Sequence, residues 1–294
     1  MRTARRRPSG RHRSPDRLSV PSHAPALVLA VPGAACEASD DISTKIVTFA
    51  SGSCPGVVVR AGYLEGVQAT LAAVLAALRA GGDAGPAAVV VPMLTGPNPR
   101  AEAALAKAVA EAGVPVIITG LLGPHPLLGE ALHARLAEAG LARAGRMREI
   151  SIAAAAAGGV IVAAANGGRA TGGGTGPGVP VGVQEAGIVA VLLAARLAAH
   201  VLPCSLGHAA GLRETAARLR DAGAANLALA PCVIGPETTA GELAAAVAET
   251  GARCAQPLGA HPAIGQLVAI RYGAALRDPR IAGAPGASGA PGLT

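Results

Sequence analysis

A histidine-bearing segment occurs twice in the sequence. The stretch LLGPHPLLGEAL begins at Leu121 and PLGAHPAIGQLV begins at Pro257, so Leu-Gly-x-His-Pro recurs with His125 and His261 136 residues apart. Two further pairs of similar segments lie before the histidine segments and in the same order in each half. They are LRAGG with LRDAG and VVVPMLTGP with LALAPCVIGP, and all three spacings lie between 136 and 141 residues. Repetition at a nearly constant spacing indicates that one structural unit occurs twice. The sequence therefore predicts two similar lobes.

Within each half, short apolar runs alternate with segments rich in Ala and Leu that have a helical period. This alternation is typical of β–α–β units, which build a parallel sheet flanked by helices. The predicted fold class is α/β, with two similar flavodoxin-like lobes, each a parallel sheet flanked by helices. The predicted strands are 26–31, 56–64, 87–94, 114–120, 158–165, 200–205, 225–233 and 253–259, and the predicted helices are 67–80, 100–112, 126–139, 184–199, 212–222 and one that begins near Pro262.

The composition favours a large core in the middle of the chain but not at its ends. Hydrophobic residues make up 51% of the 294 residues, whereas residues 1–20 hold seven arginines against one aspartate and carry nearly all of the net charge of +7. The segment after Asp278 is rich in Gly, Pro, Ala and Ser, a composition typical of disorder. We therefore predict a disordered basic arm at 1–24, an N-terminal lobe at 25–145, a C-terminal lobe at 146–277 and a disordered tail at 278–294.

Several classes of protein are disfavoured by the same composition. One Phe, two Tyr and no Trp leave few rings for stacking bases, so nucleic-acid binding is not expected beyond the basic arm. The longest uncharged apolar run, from Ile150 to Ala165, is too short to span a membrane, and the arm lacks the pattern of a secretory signal. Five cysteines without a Cys-x-x-Cys pair suit free thiols. We expect a cytoplasmic protein without a membrane partner.

In open parallel sheets, ligands bind beyond the carboxyl ends of the strands. Histidines at that edge could ligate a metal, or their rings could cap the following helix or pack between the lobes. Two cysteines that close strands of the second half could form a soft metal-binding pair, or each could be an ordinary buried thiol. The candidate residues are Gly33, Asn98, Arg100 and His125 in the first half, and Asn166, Cys204, Cys232 and His261 in the second.

Other patterns give weaker indications of a functional site. The glycine-rich stretch GGRATGGGTGPG at 167–178 lacks the lysine of a phosphate-binding P-loop and is better interpreted as a flexible loop, and no GxSxG nucleophile elbow occurs. The acidic segment CEASDD at 36–41 could attract a cation. A helix start with acids near its positive end is the simpler interpretation.

Taken together, the Tyr-Leu-Glu at 63–65, the VVVPML at 89–94 and the paired LGPHP and LGAHP turns resemble the CbiX-type sirohydrochlorin chelatases, in their long, two-lobed actinobacterial form. The resemblance covers about Pro25 to Leu276. It implies a lyase that inserts Co²⁺ or Fe²⁺ into the tetrapyrrole sirohydrochlorin for cobalamin or sirohaem synthesis. It also implies a cleft between the lobes in which histidines deliver the metal and take up the pyrrole protons. A tetrapyrrole is thus the expected partner, and a divalent metal, Co or Fe, is the expected ion if the protein is active.

The chain departs from this family at the residues that handle the metal. The family's first strand ends in His-Gly-Ser, where this sequence has Pro32-Gly33-Ala34, and Asn98 matches the position of a second histidine. In the second half, Asn166 takes the place of a histidine before Gly167. Three hypotheses follow: a working chelatase with substitute ligands such as His125 and His261, a degenerate homologue that binds a tetrapyrrole or metal without inserting it, or an unrelated two-lobed α/β binding protein.

Overall fold

The computed structural model describes residues 24–78, 85–142, 158–165 and 182–277. Each half contains four strands and four helices in alternation within these ranges. The first half contains β1 (Ala26–Ala34), α1 (Glu37–Ser53), β2 (Val59–Glu65), α2 (Leu71–Ala77), β3 (Ala88–Pro92), α3 (Pro99–Ala112), β4 (Val116–Ile118) and α4 (Pro126–Glu138). The second half contains β5 (Gly159–Ala164), α5 (Val183–Leu197), β6 (His200–Ser205), α6 (Ala209–Asp221), β7 (Leu227–Pro231), α7 (Ala240–Thr250), β8 (Arg253–Cys254) and α8 (Pro262–Ala275).

The strands form two parallel four-stranded sheets with the same order. The first sheet runs β2-β1-β3-β4 and the second runs β6-β5-β7-β8. This arrangement confirms the predicted fold class of two similar α/β lobes. The basic arm, the C-terminal tail, the glycine-rich stretch at 167–178 and the predicted boundary between residues 145 and 146 lie outside the described residues.

Backbone hydrogen bonds fix the correspondence between the lobes. The amide of Leu122 donates to Leu94 in the first lobe, and that of Leu258 donates to Val233 in the second. Equating Leu94 with Val233 superposes the turn Gly96-Pro97 on Gly235-Pro236 and places Asn98 opposite Glu237 in the repeat. By the same logic, Met93 donates to Ala30 and Cys232 donates to Ala163, so the counterpart of Pro32 is Ala165 rather than Asn166.

The main core lies between the two sheets. Four helices fill this layer, with α1 packed against α8 and α4 packed against α5. The buried cluster there combines Leu27 and Leu29 of the first sheet with Val160 and Val162 of the second, so one apolar core serves both lobes. Smaller clusters lie on the outer faces, under α2 and α3 in the first lobe and under α6 and α7 in the second.

Some element bounds differ from those that the sequence predicts. Helix α2 starts at Leu71 instead of residue 67, because Thr70 caps it by accepting a hydrogen bond from Ala73 N at 3.3 Å. Helix α7 was not predicted, although Thr239 and Glu242 form a capping box at its start. Strand β8 is limited to two residues instead of seven, since only Arg253 and Cys254 pair with β7.

Candidate functional site

An open cleft of about 620 Å³ lies where the carboxyl edge of the first sheet faces the β7–α7 loop of the second lobe. Both lobes therefore supply its walls. The first lobe contributes Pro32, Gly33, Leu64, Glu65, Asn98, Arg100 and Ala101, and the second contributes Pro236, Glu237, Thr238, Thr239 and Glu242. This position agrees with the rule that ligands bind beyond the carboxyl ends of parallel strands.

The end of β1 forms the floor on the first-lobe side. Pro32 is buried in the strand, and Gly33 follows with φ +80°, a conformation that favours glycine. A Cβ added to Gly33 would lie 3.2 Å from the carbonyl oxygen of Pro236. The close approach of the two lobes at this point therefore depends on the absence of a side chain.

The start of α3 forms the adjoining wall. The side-chain oxygen of Asn98 caps this helix by accepting a hydrogen bond from Ala101 N at 3.2 Å. The backbone N–H of Asn98 donates to Glu102 Oε1 at 3.0 Å. Asn98 therefore acts as a helix cap in a position that lines the cleft. Arg100 forms an ion pair of 3.0 Å with Glu65, and its side chain is 82% exposed, so the guanidinium can be reached by a ligand.

Glu237 is a half-buried carboxylate of the cleft that is held by backbone amides. The amide of Ile234 donates to its Oε1 at 2.5 Å and that of Gly235 donates to its Oε2 at 2.9 Å. Burial raises the pKa of the Glu237 carboxyl, and the backbone donors at Ile234, Glu237 and Gly235 oppose that shift. The carboxyl is therefore closer to neutrality than an exposed glutamate.

The charged groups of the described lining are mainly acidic. Glu65, Glu237 and Glu242 face one cation, Arg100, which is already paired with Glu65. Glu242 is also held in the capping box of α7, where Thr239 N donates to its Oε2 at 2.9 Å. Within the described part of the chain, the cleft thus offers carboxylates and an amide but no imidazole or thiol.

A second, smaller cavity of about 10 Å³ lies behind the cleft, between the two lobes. Its lining includes Thr95 and Gly96 from the first lobe with Ala164 and Cys232 from the second. The hydroxyl of Thr95 donates to the carbonyl oxygen of Cys232 at 2.5 Å, a buried hydrogen bond between the lobes. Glu237 lines both this cavity and the open cleft.

The two repeated histidines lie outside the lining of either cavity. His125 caps α4 through Nδ1, which accepts from Leu127 N at 3.2 Å, and His261 caps α8 in the same way through Ala263 N at 3.2 Å. These contacts confirm the interpretation of both as capping residues. No group of three His, Cys, Asp or Glu side chains that could hold a metal occurs among the residues with described positions.

Each capping histidine also faces an arginine of the other lobe. Burial lowers the pKa of His125, and Arg271 lowers it further. Burial and Arg135 lower the pKa of His261, while Glu138 and Glu130 act in the opposite direction. Both imidazoles are thereby favoured in the neutral form, which is the form that can accept the capping hydrogen bond.

The cysteine pair that the sequence suggests is contradicted by the structure. Cys204 lies in the cluster on the outer face of the second sheet, whereas Cys232 lies in the core between the sheets. The sheet itself therefore separates the two sulfur atoms. Burial raises the pKa of Cys204 and raises that of Cys232 to about 12, so both remain neutral thiols.

The acidic segment at 36–41 starts helix α1. Cys36 is its N-cap residue, and Glu37 and Asp40 lie in the first turn, as the simpler interpretation of the sequence predicts. Asp40 accepts a hydrogen bond from the Tyr63 hydroxyl, and Asp41 pairs with Lys45 at 2.7 Å. The carboxylates at 40 and 41 are therefore engaged by protein groups.

Of the candidate residues, the structure brings Gly33, Asn98 and Arg100 together in the cleft, along with Pro32. Cys232 lies at the smaller cavity, Cys204 lies elsewhere, and Asn166 is outside the described residues. Sequence reasoning missed Glu237 and the rest of the β7–α7 loop. The signal was present, because extending the repeated Gly-Pro turn by one residue equates Glu237 with Asn98.

Comparison with solved structures identifies the fold. Two structures of the sirohydrochlorin chelatase SirB from Bacillus subtilis superpose on 87% of this chain and 98% of theirs: one with Fe³⁺ (TM-score 0.60, 16% identity) and one, from subspecies spizizenii, with cobalt (TM-score 0.59, 15% identity). CbiX, described as the terminal enzyme of sirohaem biosynthesis in denitrifying bacteria, superposes on 85% of this chain and 99% of its own with TM-score 0.56 and 18% identity.

No protein-family model matches the sequence, and no curated protein matches it either. Within the described residues, no helix is long and apolar enough to cross a membrane. The likeness in fold nevertheless extends over both lobes of this chain and over nearly the whole length of SirB and CbiX. The chain therefore has the two-lobed fold of the CbiX-type sirohydrochlorin chelatases.

Proposed function

We propose that this protein is a chelatase-like protein that binds a tetrapyrrole, sirohydrochlorin or a close relative, in the cleft between its lobes. The observation that carries the proposal is the cleft itself, because it lies at the carboxyl edge of the first sheet and has walls from both lobes. Its volume of about 620 Å³ falls within the range of small-molecule sites, roughly 300 to 1,000 Å³. SirB and CbiX, which have the same fold, support the choice of ligand class.

A second candidate function is insertion of Co²⁺ or Fe²⁺ into the bound tetrapyrrole, for cobalamin or sirohaem synthesis. The acidic lining of the cleft favours it, since three carboxylates against one arginine raise the local concentration of a divalent cation. Insertion also releases two protons from pyrrole nitrogens, and carboxylates can accept them. The described lining lacks imidazole, and for this reason we place binding ahead of insertion.

The experiment is a titration of the purified protein with sirohydrochlorin, followed by absorbance, with Co²⁺ or Fe²⁺ added afterwards. We expect saturable binding of the tetrapyrrole. Insertion faster than the uncatalysed reaction would establish the second candidate as well. Absence of any saturable binding would rule out the proposed function and leave an α/β protein with a different ligand.

A blocked cleft provides the control for location. Thr238 lines the cleft, so Thr238→Trp should fill part of it and weaken binding at least tenfold. Thr48 is exposed on α1 and lies outside the lining of the cleft, so Thr48→Trp adds the same ring elsewhere and should leave binding unchanged. Equal effects of the two variants would show that the ligand binds at another place.

A further inference from the structure

Glu237 occupies a boundary between two different environments. On one side is the open cleft, and on the other is the small cavity lined by Leu94, Ala164 and Ala186. The residue enters the site from the second lobe, at the position that Asn98 occupies in the first. The second lobe contributes two acidic side chains to the cleft, Glu237 and Glu242, and of these Glu237 also lines the smaller cavity.

The surroundings of Glu237 leave its charge without a counterion. Both carboxylate oxygens are held by backbone amides, and within the described ranges no Arg, Lys or His forms an ion pair with it. The charged or titratable groups around it include Glu65 and Arg100 across the cleft, Glu242 on its own side and the thiol of Cys232 behind it. Glu185 of α5 lies beside Gly96 at the smaller cavity. On α1, which contacts this loop through Ile42, Asp40 and Asp41 are engaged by Tyr63 and Lys45.

We propose that Glu237 contacts the tetrapyrrole in the cleft and takes up one proton when that ligand binds. The inference rests on the proposed function and specifies how the same site accommodates its ligand. Sirohydrochlorin carries acetate and propionate side chains, so it is a polyanion at neutral pH. An anion brought against an unpaired carboxylate is repelled, and the repulsion disappears if the carboxylate becomes a neutral acid.

The step involves only a proton from solvent. The Glu237 carboxylate gains one proton and becomes a carboxylic acid, while no bond of the ligand is made or broken. Burial already raises the pKa of this carboxyl in the ligand-free protein, and a bound anion shifts it in the same direction. The protonated form also gains an O–H donor, which can hydrogen-bond to a ligand carboxylate.

Linkage gives the direction of the pH dependence. Binding that takes up a proton is strongest at low pH, and its affinity falls as pH rises from the pKa of free Glu237 to its higher pKa in the complex. Glu237→Gln is neutral at every pH, so it should lose this part of the dependence. At about pH 8 we expect it to bind sirohydrochlorin roughly fivefold more tightly than the wild type, as expected for removing one like charge in a partly solvated site.

The test measures sirohydrochlorin affinity of the full-length protein between about pH 5.5 and pH 8.5, together with calorimetry in two buffers of different ionisation enthalpy. The wild type should show net proton uptake, and Glu237→Gln should show less by up to one proton. The matched control is Glu111→Gln, which removes an equal charge from an exposed pair with Lys107 on α3, outside the cleft. Glu111→Gln should show the same affinity and the same proton uptake as the wild type. The carboxylates of the ligand titrate alike with all three proteins, so differences in proton uptake report on the protein.

Four outcomes contradict the inference. Equal proton uptake by wild type and Glu237→Gln overturns it, and a uniform loss of affinity at all pH values would mean that Glu237 only organises its loop. If Glu237→Gln does not fold, zero proton uptake by the wild type overturns the inference without the variant. Absence of any binding by the wild type overturns the proposed function as well, so the two failures are distinguishable.

Discussion

At the scale of single residues, the two repeated histidines show that a motif suited to metal binding can have a structural role instead. Each ring accepts a hydrogen bond from the second residue of the following helix, with the neighbouring proline in the first helical position. Proline is favoured there because its missing N–H would otherwise be unpaired. The motif is thus a helix start made twice, and a sequence alone could not choose between that role and a metal site.

We expect His125→Ala and His261→Ala to destabilise the protein by about 0.5 to 2 kcal/mol each, as for other lost N-caps. The pKa of both rings is lowered in the folded state, so the folded protein binds fewer protons at these rings than the unfolded chain does. Stability from these caps is therefore present above the unfolded pKa of about 6.5 and declines as pH falls through it. Urea denaturation at about pH 7.5 and pH 5.5 measures the free energy of unfolding above and below this pKa. Asparagine is the control at both positions, because it can cap a helix but does not titrate.

If the asparagine variants keep the stability of the wild type at neutral pH and lose its decline in acid, the capping role is supported. An unchanged acid dependence in the double asparagine variant would contradict it.

The cleft residues show where prediction from the sequence reaches its limit at this scale. Gly33, Asn98 and Arg100 could be found because they lie at or shortly after the carboxyl ends of strands, a known place for ligands in parallel sheets. Glu237 follows β7 at the same distance as Asn98 follows β3, so the repeat could have placed it at the same edge. Its burial and its contacts could not be predicted, since they depend on how closely the second lobe packs. The separation of Cys204 from Cys232 has the same origin, because the faces of a strand cannot be assigned to inner and outer sides before the layers are known.

At the scale of helices and strands, apolar runs and helical periodicity in the sequence were sufficient to predict most of the elements. Strand β6 was predicted with the same bounds, and α3 and α4 to within one residue at each end. Strands β4 and β8 were predicted too long, because apolar residues continue beyond their ends. In β4 these include Val114 and Pro115 before the strand, and in β8 they include Pro257 and Leu258 after it. The exceptions among helices are α1, of which only the start was suggested, and α7, for which no helix was predicted.

Two equivalent glycines on the helices of the central layer provide a matched test of packing. Gly129 of α4 and Gly265 of α8 are both buried and occupy the same position in the repeat. A Cβ at Gly129 would lie 3.5 Å from Leu192 Cβ, an ordinary contact, whereas one at Gly265 would overlap Phe49 Cβ on α1. Gly129→Ala should therefore stabilise by up to about 1 kcal/mol through helix propensity, and Gly265→Ala should destabilise by about 1 to 3 kcal/mol through overpacking.

The free energy of unfolding of each variant, from urea titration, decides the outcome. Destabilisation of similar size in both would mean that α4 and α8 are packed alike, contrary to the asymmetry between Leu192 and Phe49.

At the scale of the whole molecule, the lobes are joined by reciprocal contacts as well as by a common core. Arg135 on α4 donates from Nη2 to the carbonyl oxygen of Leu258 at 2.7 Å, and Arg271 on α8 donates from Nη2 to that of Leu122 at 3.1 Å. These residues are related by the same repeat spacing as the histidines. The two contacts differ in one respect: Glu138 pairs with Arg135 at 2.7 Å, whereas Arg271 Nε finds no hydrogen-bond partner among the residues that the structure describes.

We predict that the wild type unfolds in a single calorimetric transition, with a calorimetric enthalpy equal to the van't Hoff enthalpy. The reason is that the buried cluster between the sheets includes strands of both lobes, so neither lobe retains its core alone. Arg135→Met and Arg271→Met keep the apolar stem but remove the donors, and each should cost about 1.5 to 3 kcal/mol because the lost hydrogen bonds are charged and partly buried. In the double variant the transition should move to lower temperature and remain single, since the core is unchanged.

Arg213→Met is the control, because Arg213 pairs with Glu249 on the outer face, where an exposed ion pair contributes about 0 to 1 kcal/mol. Two resolved transitions in the wild type would contradict a shared core. Two transitions only in the double variant would instead assign the coupling between the lobes to the arginines. In that case the cleft, whose walls come from both lobes, would depend on those two side chains for its shape, and tetrapyrrole binding should weaken in the same variant.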